Sequence, residues 1–271
     1  MMKLPLPLLR NNKAVSYSIS AVIITGVTAA LVIAVSMYAY QVLEQQRGAA
    51  EYDVMKKSIL AFDDAVQDVA WKLNASRMVR FKIEFGTLRL LSNAQTLNLS
   101  ARIGNSSENH PLGSVSTSHI RYSIGTGYMT LGENYQSYIL GNDSLIVAGS
   151  TESLGRVFIE QGLGLVNVTL SYRARAIRTS VIEVNGTMVN YVTIWLIKIV
   201  IASPATHIHN FDLRARCIDI KTNTFGPYDV TDADYCTITA ESEGETSYAE
   251  VGLDAGKVVF SVAVAEVKVG V

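Results

Sequence analysis

The hydrophobic positions fall into three textures along the chain. Ala14–Leu43 carries no charged residue, and Ile19–Tyr40 is almost wholly apolar. Crossing a hydrocarbon core of about 30 Å takes about 20 helical residues, so this stretch predicts a membrane span over about residues 18–40. A cleaved secretory signal would have a shorter apolar core, of about 7–15 residues. Farther along, Tyr52, Met55, Ile59, Phe62, Val66, Val69 and Leu73 recur at alternating spacings of three and four, one stripe of a helix. Lys56, Lys57, Asp63, Asp64, Gln67 and Asp68 fall off that stripe and are expected to face water or a partner. No proline lies between Val15 and Leu73, and Gly48 is the sole glycine of the second half. A single helix over 15–73 is therefore predicted, its first half in lipid and Gly48 its candidate hinge.

From about residue 77 the pattern changes to short runs of period-two character separated by Gly, Asn, Asp and Pro, such as FKIEFGTLRLL, GLVNVTLSYRARA and KVVFSVAVAEVKV. The predicted fold class is α+β: a long N-terminal α-helix, transmembrane in its first half, followed by an antiparallel β-sandwich-like exterior domain over 77–271. Asn185-Gly186 between VIEV and TMVNYVTIWL marks a hairpin with a two-residue type I′ turn. Val192–Ala202 is apolar on both faces, too short to span a membrane, and reads as a central core strand.

Composition adds exclusions. With 17% charged residues and a net charge of -1, the chain does not suit phosphate neutralisation, so no nucleic-acid partner is expected. Lys3, Arg10 and Lys13 precede the span without any acidic residue, which places the N-terminus in the cytoplasm and the following domain outside. The acceptor pattern Asn-X-Ser/Thr occurs at Asn74, Asn98, Asn105, Asn142, Asn167 and Asn185, all beyond the span. Roughly two matches are expected by chance, so a glycosylated exterior is predicted. Cys217 and Cys236 bracket the turn-rich KTNTFGPYDVTDAD, and an exterior compartment permits a disulfide between them; the alternative is two buried free thiols.

Candidate chemistry is sparse. His207 and His209 form an HxH without a third ligand nearby, and Asp229, Asp232 and Asp234 lack the spacing of a calcium loop. Glu241, Glu243 and Glu245 read as a solvated strand edge, and Arg173 and Arg175 as the solvent-facing half of a strand. The chain has no nucleophile elbow, phosphate loop or HExxH helix. No catalytic residue, metal or cofactor is expected, and the chain reads as a non-enzyme.

The N-terminal arrangement resembles archaeal type IV pilins and related filament proteins with class III signal peptides. The resemblance rests on a short basic leader, the tetrapeptide Lys13-Ala14-Val15-Ser16, and the uncharged helix directly behind it. It implies a prepilin peptidase that cuts between Ala14 and Val15, removing residues 1–14. It also implies self-association through 15–73 into a surface filament or pseudopilus. Where many bacterial members carry a glutamate as the fifth residue after the cut, this chain has Ile19, in keeping with the archaeal branch. The competing expectation is a monomeric single-span surface protein whose β domain binds a ligand or another cell.

Overall fold

The computed structural model describes residues 12–201, 206–230 and 234–271, with side chains from Ile19 onward. It opens with a 59-residue helix, α1 (Asn12–Ala70), which continues through Gly48. The chain divides into two compact units between Arg47 and Gly48. Gly48 is buried because the side chain of Tyr128 occupies the space a Cβ would need.

Among the described residues, the second unit contains α1 from Gly48 on and fourteen strands. These are β1 (Ser76–Phe81), β2 (Thr87–Ile103), β3 (His110–Gly125), β4 (Gln136–Leu140), β5 (Ile146–Val147), β6 (Gly155–Gln161) and β7 (Leu165–Tyr172). They continue with β8 (Ala174–Val184), β9 (Thr187–Ile201), β10 (Thr206–His207), β11 (Phe211–Val230), β12 (Tyr235–Ser242), β13 (Glu245–Gly252) and β14 (Gly256–Gly270). A six-stranded sheet runs β1-β11-β14-β9-β8-β5, and an eight-stranded sheet runs β13-β12-β2-β3-β7-β6-β4, with β10 on β2.

The predicted hairpin forms as expected: Val184 pairs Thr187, and Asn185 and Gly186 both take positive φ, 51° and 76°. β9 sits inside its sheet with Val192, Ile194, Leu196, Ile197 and Ile199 buried. The antiparallel expectation needs correction. β9 and β14 pair in parallel from Val189↔Lys257 to Ile201↔Val269, and β5 pairs β8 in parallel. Parallel neighbours require a long crossover, which β10–β13 supply, and period-two alternation carries no information on pairing direction.

One core cluster joins α1 to both sheets. Tyr52, Met55, Ile59, Phe62, Val66 and Val69, each at most 1% exposed, meet Leu88, Ile120 and Leu170 of the eight-stranded sheet and Ile199, Leu213 and Val267 of the six-stranded one. A second cluster, built around Leu97, Leu99, Ile238, Ile194 and Phe260, joins the two sheets without the helix. Leu73 leaves the predicted stripe, 59% exposed, because the helix ends at Ala70 and turns at Lys72.

Two carboxylates on α1 meet two glycines of the β structure. Glu51 Oε2 accepts the backbone N–H of Glu84 (2.7 Å) and Phe85 (2.9 Å), while Oε1 accepts the Gly86 N–H (2.9 Å) and the Tyr122 hydroxyl (2.7 Å). Gly86 lies so close to the Tyr122 ring that a Cβ has no room. Asp63, expected to face water, is 1% exposed. It follows Ile59 by four residues and precedes Val66 by three, so it belongs to the wider apolar face of a helix that is covered on more than one side. Gln67 Nε2 donates to its Oδ2 at 2.6 Å and to Ser153 Oγ at 3.1 Å, and Gly155 has no space for a Cβ beside its other oxygen.

Burial pushes the Asp63 carboxyl from 3.8 up to about 6, with the hydrogen bond from Gln67 opposing the shift. Below pH 3.8 both folded and unfolded states hold the proton; between 3.8 and about 6 only the unfolded state ionises, so stability falls as pH rises through that window. Above it the penalty is constant, about 3 kcal/mol at about 1.4 kcal/mol per pH unit. Asp63→Asn should therefore flatten the dependence of unfolding free energy between pH 4 and 6 and be the more stable protein at pH 7. Parallel pH profiles for the two proteins would refute this. Glu51→Gln, which keeps the shape but turns two acceptors into one acceptor and one donor, should lower stability by about 2–4 kcal/mol in denaturant titrations.

Candidate functional site

The feature of the first unit with the clearest functional consequence is the surface of α1 before Gly48. Ile19, Val22, Ile23, Ile24, Val27, Leu31, Val32, Ile33, Val35, Met37, Tyr38, Tyr40 and Leu43 are all between 45% and 72% exposed. Among the described residues this is the one helix long and apolar enough to cross a membrane. Two of its hydroxyls are satisfied within the helix: the Thr25 hydroxyl donates to the Ala21 carbonyl at 2.8 Å and the Thr28 hydroxyl to the Ile24 carbonyl at 2.7 Å. These two threonines therefore present no unmet donor to lipid or to another helix. Gly26, Ala30 and Ala34 recur every fourth residue, which leaves a shallow strip where another helix backbone can approach closely. The sequence carries that spacing as small residues one turn apart, masked by the large apolar residues between them.

Met1–Asn11, including Lys3 and Arg10, lie outside the described residues, as do the side chains of Lys13, Ala14, Val15 and Ser16. The backbone of that tetrapeptide belongs to α1.

The six glycan acceptors differ in their surroundings. Asn74, Asn98, Asn105, Asn142 and Asn185 are exposed. Asn185 sits at the tip of the β8–β9 turn. Asn142 Oδ1 is taken by Arg173, Asn74 Oδ1 by Arg216 and Asn105 Oδ1 by Tyr235. Asn167 is half-buried, accepts from Ser123 Oγ (2.7 Å) and donates to Glu160, and its sequon partner Thr169 is fully buried.

The disulfide is not formed: Cys217 and Cys236 are free thiols, each fully buried. KTNTFGPYDV is not a turn but the second half of β11, paired with β14 from Lys221↔Val264 to Val230↔Gly256. At about 3.3 Å per residue it carries the chain up to about 40 Å from Cys217 before β12 begins. Cys217 then lies in the six-stranded sheet, its Sγ donating to the Ala70 carbonyl at 3.2 Å, and Cys236 in the eight-stranded sheet. Burial pushes the Cys236 thiol up to about 12 and raises Cys217 as well.

Arg173 also corrects the expectation of a solvent-facing strand. The chain passes from β7 in one sheet to β8 in the other at Arg173, so alternation stops there. The guanidinium is 2% exposed and donates to Ser153 O (2.9 Å) and Asn142 Oδ1 (2.5 Å), with Glu152 Oε2 at 3.5 Å. Arg175 Nη2 donates to Glu152 O. His207 packs on Phe211, its ring centroid 4.4 Å away, whereas His209 is exposed beyond β10. Asp229 lies 3.8 Å from Lys257, Asp234 is exposed, and Asp232 falls outside the described residues. Among the described residues no three His, Cys, Asp or Glu side chains gather as metal ligands. Glu241, Glu243 and Glu245 are exposed around the β12–β13 turn, at the sheet's edge.

No protein-family model, curated protein or solved structure matches the chain.

Buried thiols should be inert in the folded protein. A thiol reagent is expected to leave the native protein unmodified and to label both cysteines after denaturation without reductant; absence of any label in that second step would restore the bridge.

Proposed function

We propose that the protein is a pilin-like structural subunit, anchored in a membrane by the first half of α1 and assembled through that helix into a surface filament or pseudopilus. The observation that carries this reading is the contrast along one helix: Ile19–Leu43 is exposed, apolar and uncharged, while Tyr52–Ala70 builds the core of a folded β unit. An exposed apolar surface of that length needs lipid or protein to cover it, and a helix that exchanges one for the other serves as both anchor and polymer seam. The basic leader, the exterior placement of the β unit and processing before Val15 by a prepilin peptidase belong to the same proposal, as does glycosylation of the exposed sequons. The clusters shared between the two sheets support a sandwich-like head.

Removal of residues 1–14 would take away Lys3, Arg10 and Lys13, the charges that hold the helix start at the cytoplasmic face. The freed helices could then bury against one another. A monomeric single-span surface protein shares this topology and differs at the N-terminus. Mass spectrometry of native protein is expected to find a chain beginning at Val15, and Lys13→Ala should block that maturation.

Val27→Arg separates anchoring from assembly. An arginine at the middle of the span costs about 2.5–3.5 kcal/mol for insertion, which the surrounding Leu, Ile and Val offset. In a filament it recurs in every subunit without an acidic partner, since no Asp or Glu occurs before Glu44, and each uncompensated buried charge costs several kcal/mol. The variant should fractionate with membranes but form no filament visible by electron microscopy. Normal filaments from it, or an intact Met1 in the native protein, would favour the monomeric surface protein.

A further inference from the structure

We propose that the cleft on the outer face of the eight-stranded sheet binds an acidic sugar residue of a glycan, with Arg156 holding its carboxylate and the Tyr138–Phe158 pair receiving its ring. This site belongs to the β unit and is independent of whether the helix polymerises.

Strand alternation builds the cleft. On β3, β6 and β7, Ile120, Tyr122, Val157, Ile159, Val168 and Leu170 point into the core, so the intervening His119, Arg121, Arg156, Phe158, Glu160, Thr169 and Ser171 take the opposite face. That face is polar yet much of it is shielded from water: Thr169 and Ser171 are fully buried, and Gln95 and Arg156 are 5% and 6% exposed. The β4 residues Gln136 and Tyr138 close one side and the β12–β13 turn with Glu243 closes another, around a volume of about 480 Å³. That is ample for a sugar residue, within the range of small-molecule sites.

Arg156 sets the charge of the ligand. Its Nε donates to Ser171 Oγ (3.2 Å) and its Nη1 to the Asp143 carbonyl (2.9 Å), which hold the guanidinium rigidly; among the described residues Nη2 has no acceptor. Among the described residues no carboxylate lies within 4.0 Å of it, although it is almost wholly buried and lines the cleft. Asp143 and Glu245 act on it only from beyond that distance, so the buried guanidinium has no direct ion pair, and a ligand carboxylate would supply one through charge-assisted hydrogen bonds. The neighbouring Arg121 is already occupied, donating to Thr169 Oγ1 (3.1 Å) and facing Glu160 at 3.4 Å. His119, held neutral by burial and by the two arginines, makes a 3.2 Å hydrogen bond with Gln95 and brings no further charge.

The rest of the lining disfavours densely charged groups and favours hydroxyls. Glu160, Glu243 and Glu245 outnumber Arg121 and Arg156, so a phosphate or sulfate group is repelled more strongly than a sugar chain with a single carboxylate per residue, of which one enters the cleft. Gln95, Gln136 and the three glutamates offer donors and acceptors of the kind that ring hydroxyls pair with. Tyr138 and Phe158, ring centroids 5.9 Å apart and tilted by 48°, supply the apolar surface on which the C–H face of a pyranose can rest.

The test titrates the full chain in detergent micelles with glucuronate, galacturonate, a galacturonate tetramer, a neutral glucose tetramer and inorganic phosphate, followed by calorimetry. At least one uronate is expected to bind at least about tenfold more tightly than the neutral sugar and than phosphate. Tighter binding of the tetramer than of the monomer assigns the site to a surface polysaccharide, and equal binding assigns it to a free sugar acid; both uphold the site. Arg156→Gln should weaken uronate binding at least about tenfold while leaving residual neutral-sugar binding unchanged, and Tyr138→Ala should weaken both. Should Arg156→Gln fail to fold by its thermal transition, Tyr138→Ala, at a half-buried rim position, decides. Absence of uronate binding, equal binding of neutral sugar or phosphate, or wild-type affinity in a folded variant would overturn the proposal.

Discussion

The second unit depends on burying the wide apolar face of a helix between two sheets. Tyr52, Met55, Ile59, Phe62, Val66 and Val69 lie in a cluster to which both sheets contribute, so this part of α1 is an interior layer of the β unit. Apolar burial supplies the driving force but is non-directional, and a helix held by it alone could rotate or slide. Glu51 and Asp63 remove that freedom. Glu51 meets three backbone N–H groups and one phenol, and Asp63 meets Gln67 beside Gly155, where any larger residue would push the strand away. The raised pKa of Asp63 is the energetic trace of that arrangement, a polar group kept in an apolar layer at some cost to stability.

The crossings between sheets explain features that look anomalous when each strand is considered alone. At Arg173 the chain leaves one sheet for the other, and the arginine stays inside to tie the 142–153 segment through Asn142, Glu152 and Ser153. The return through β10–β13 lets β9 and β14 lie parallel, each flanked on both sides by strands of its own sheet. Both cysteines fill core positions of different sheets, where a thiol packs as a small hydrophobe. The outer face of the eight-stranded sheet is the exception to a simple inside-and-outside division: it is polar, shielded and organised around a fixed guanidinium.

The two proposed roles fall on surfaces of opposite character. The first half of α1 is chemically uniform, and its value lies in being apolar and free of charge so that lipid or a like surface can cover it. The cleft is chemically diverse and small, suited to selecting a ligand by hydroxyl pattern and a single charge.

Properties that depend on neighbours along the chain were legible in the sequence. The uncharged run after Ala14, the stripe from Tyr52 to Val69, the Asn185-Gly186 turn and the core character of β9 each follow from a local period or a local φ requirement. Properties that depend on neighbours across space were not. Period-two alternation says which residues share a face, but not which strand lies beside it or in which direction, so the parallel pairs and the separation of Cys217 from Cys236 had to come from tertiary structure. The same limit applies to single side chains: Asp63, Arg173 and Arg156 are charged residues that local pattern assigns to water, and only the packing of the helix, the crossing of the sheets and the overlying turn placed them inside. Burial is a sum over contacts distant in sequence, and no local window contains that sum.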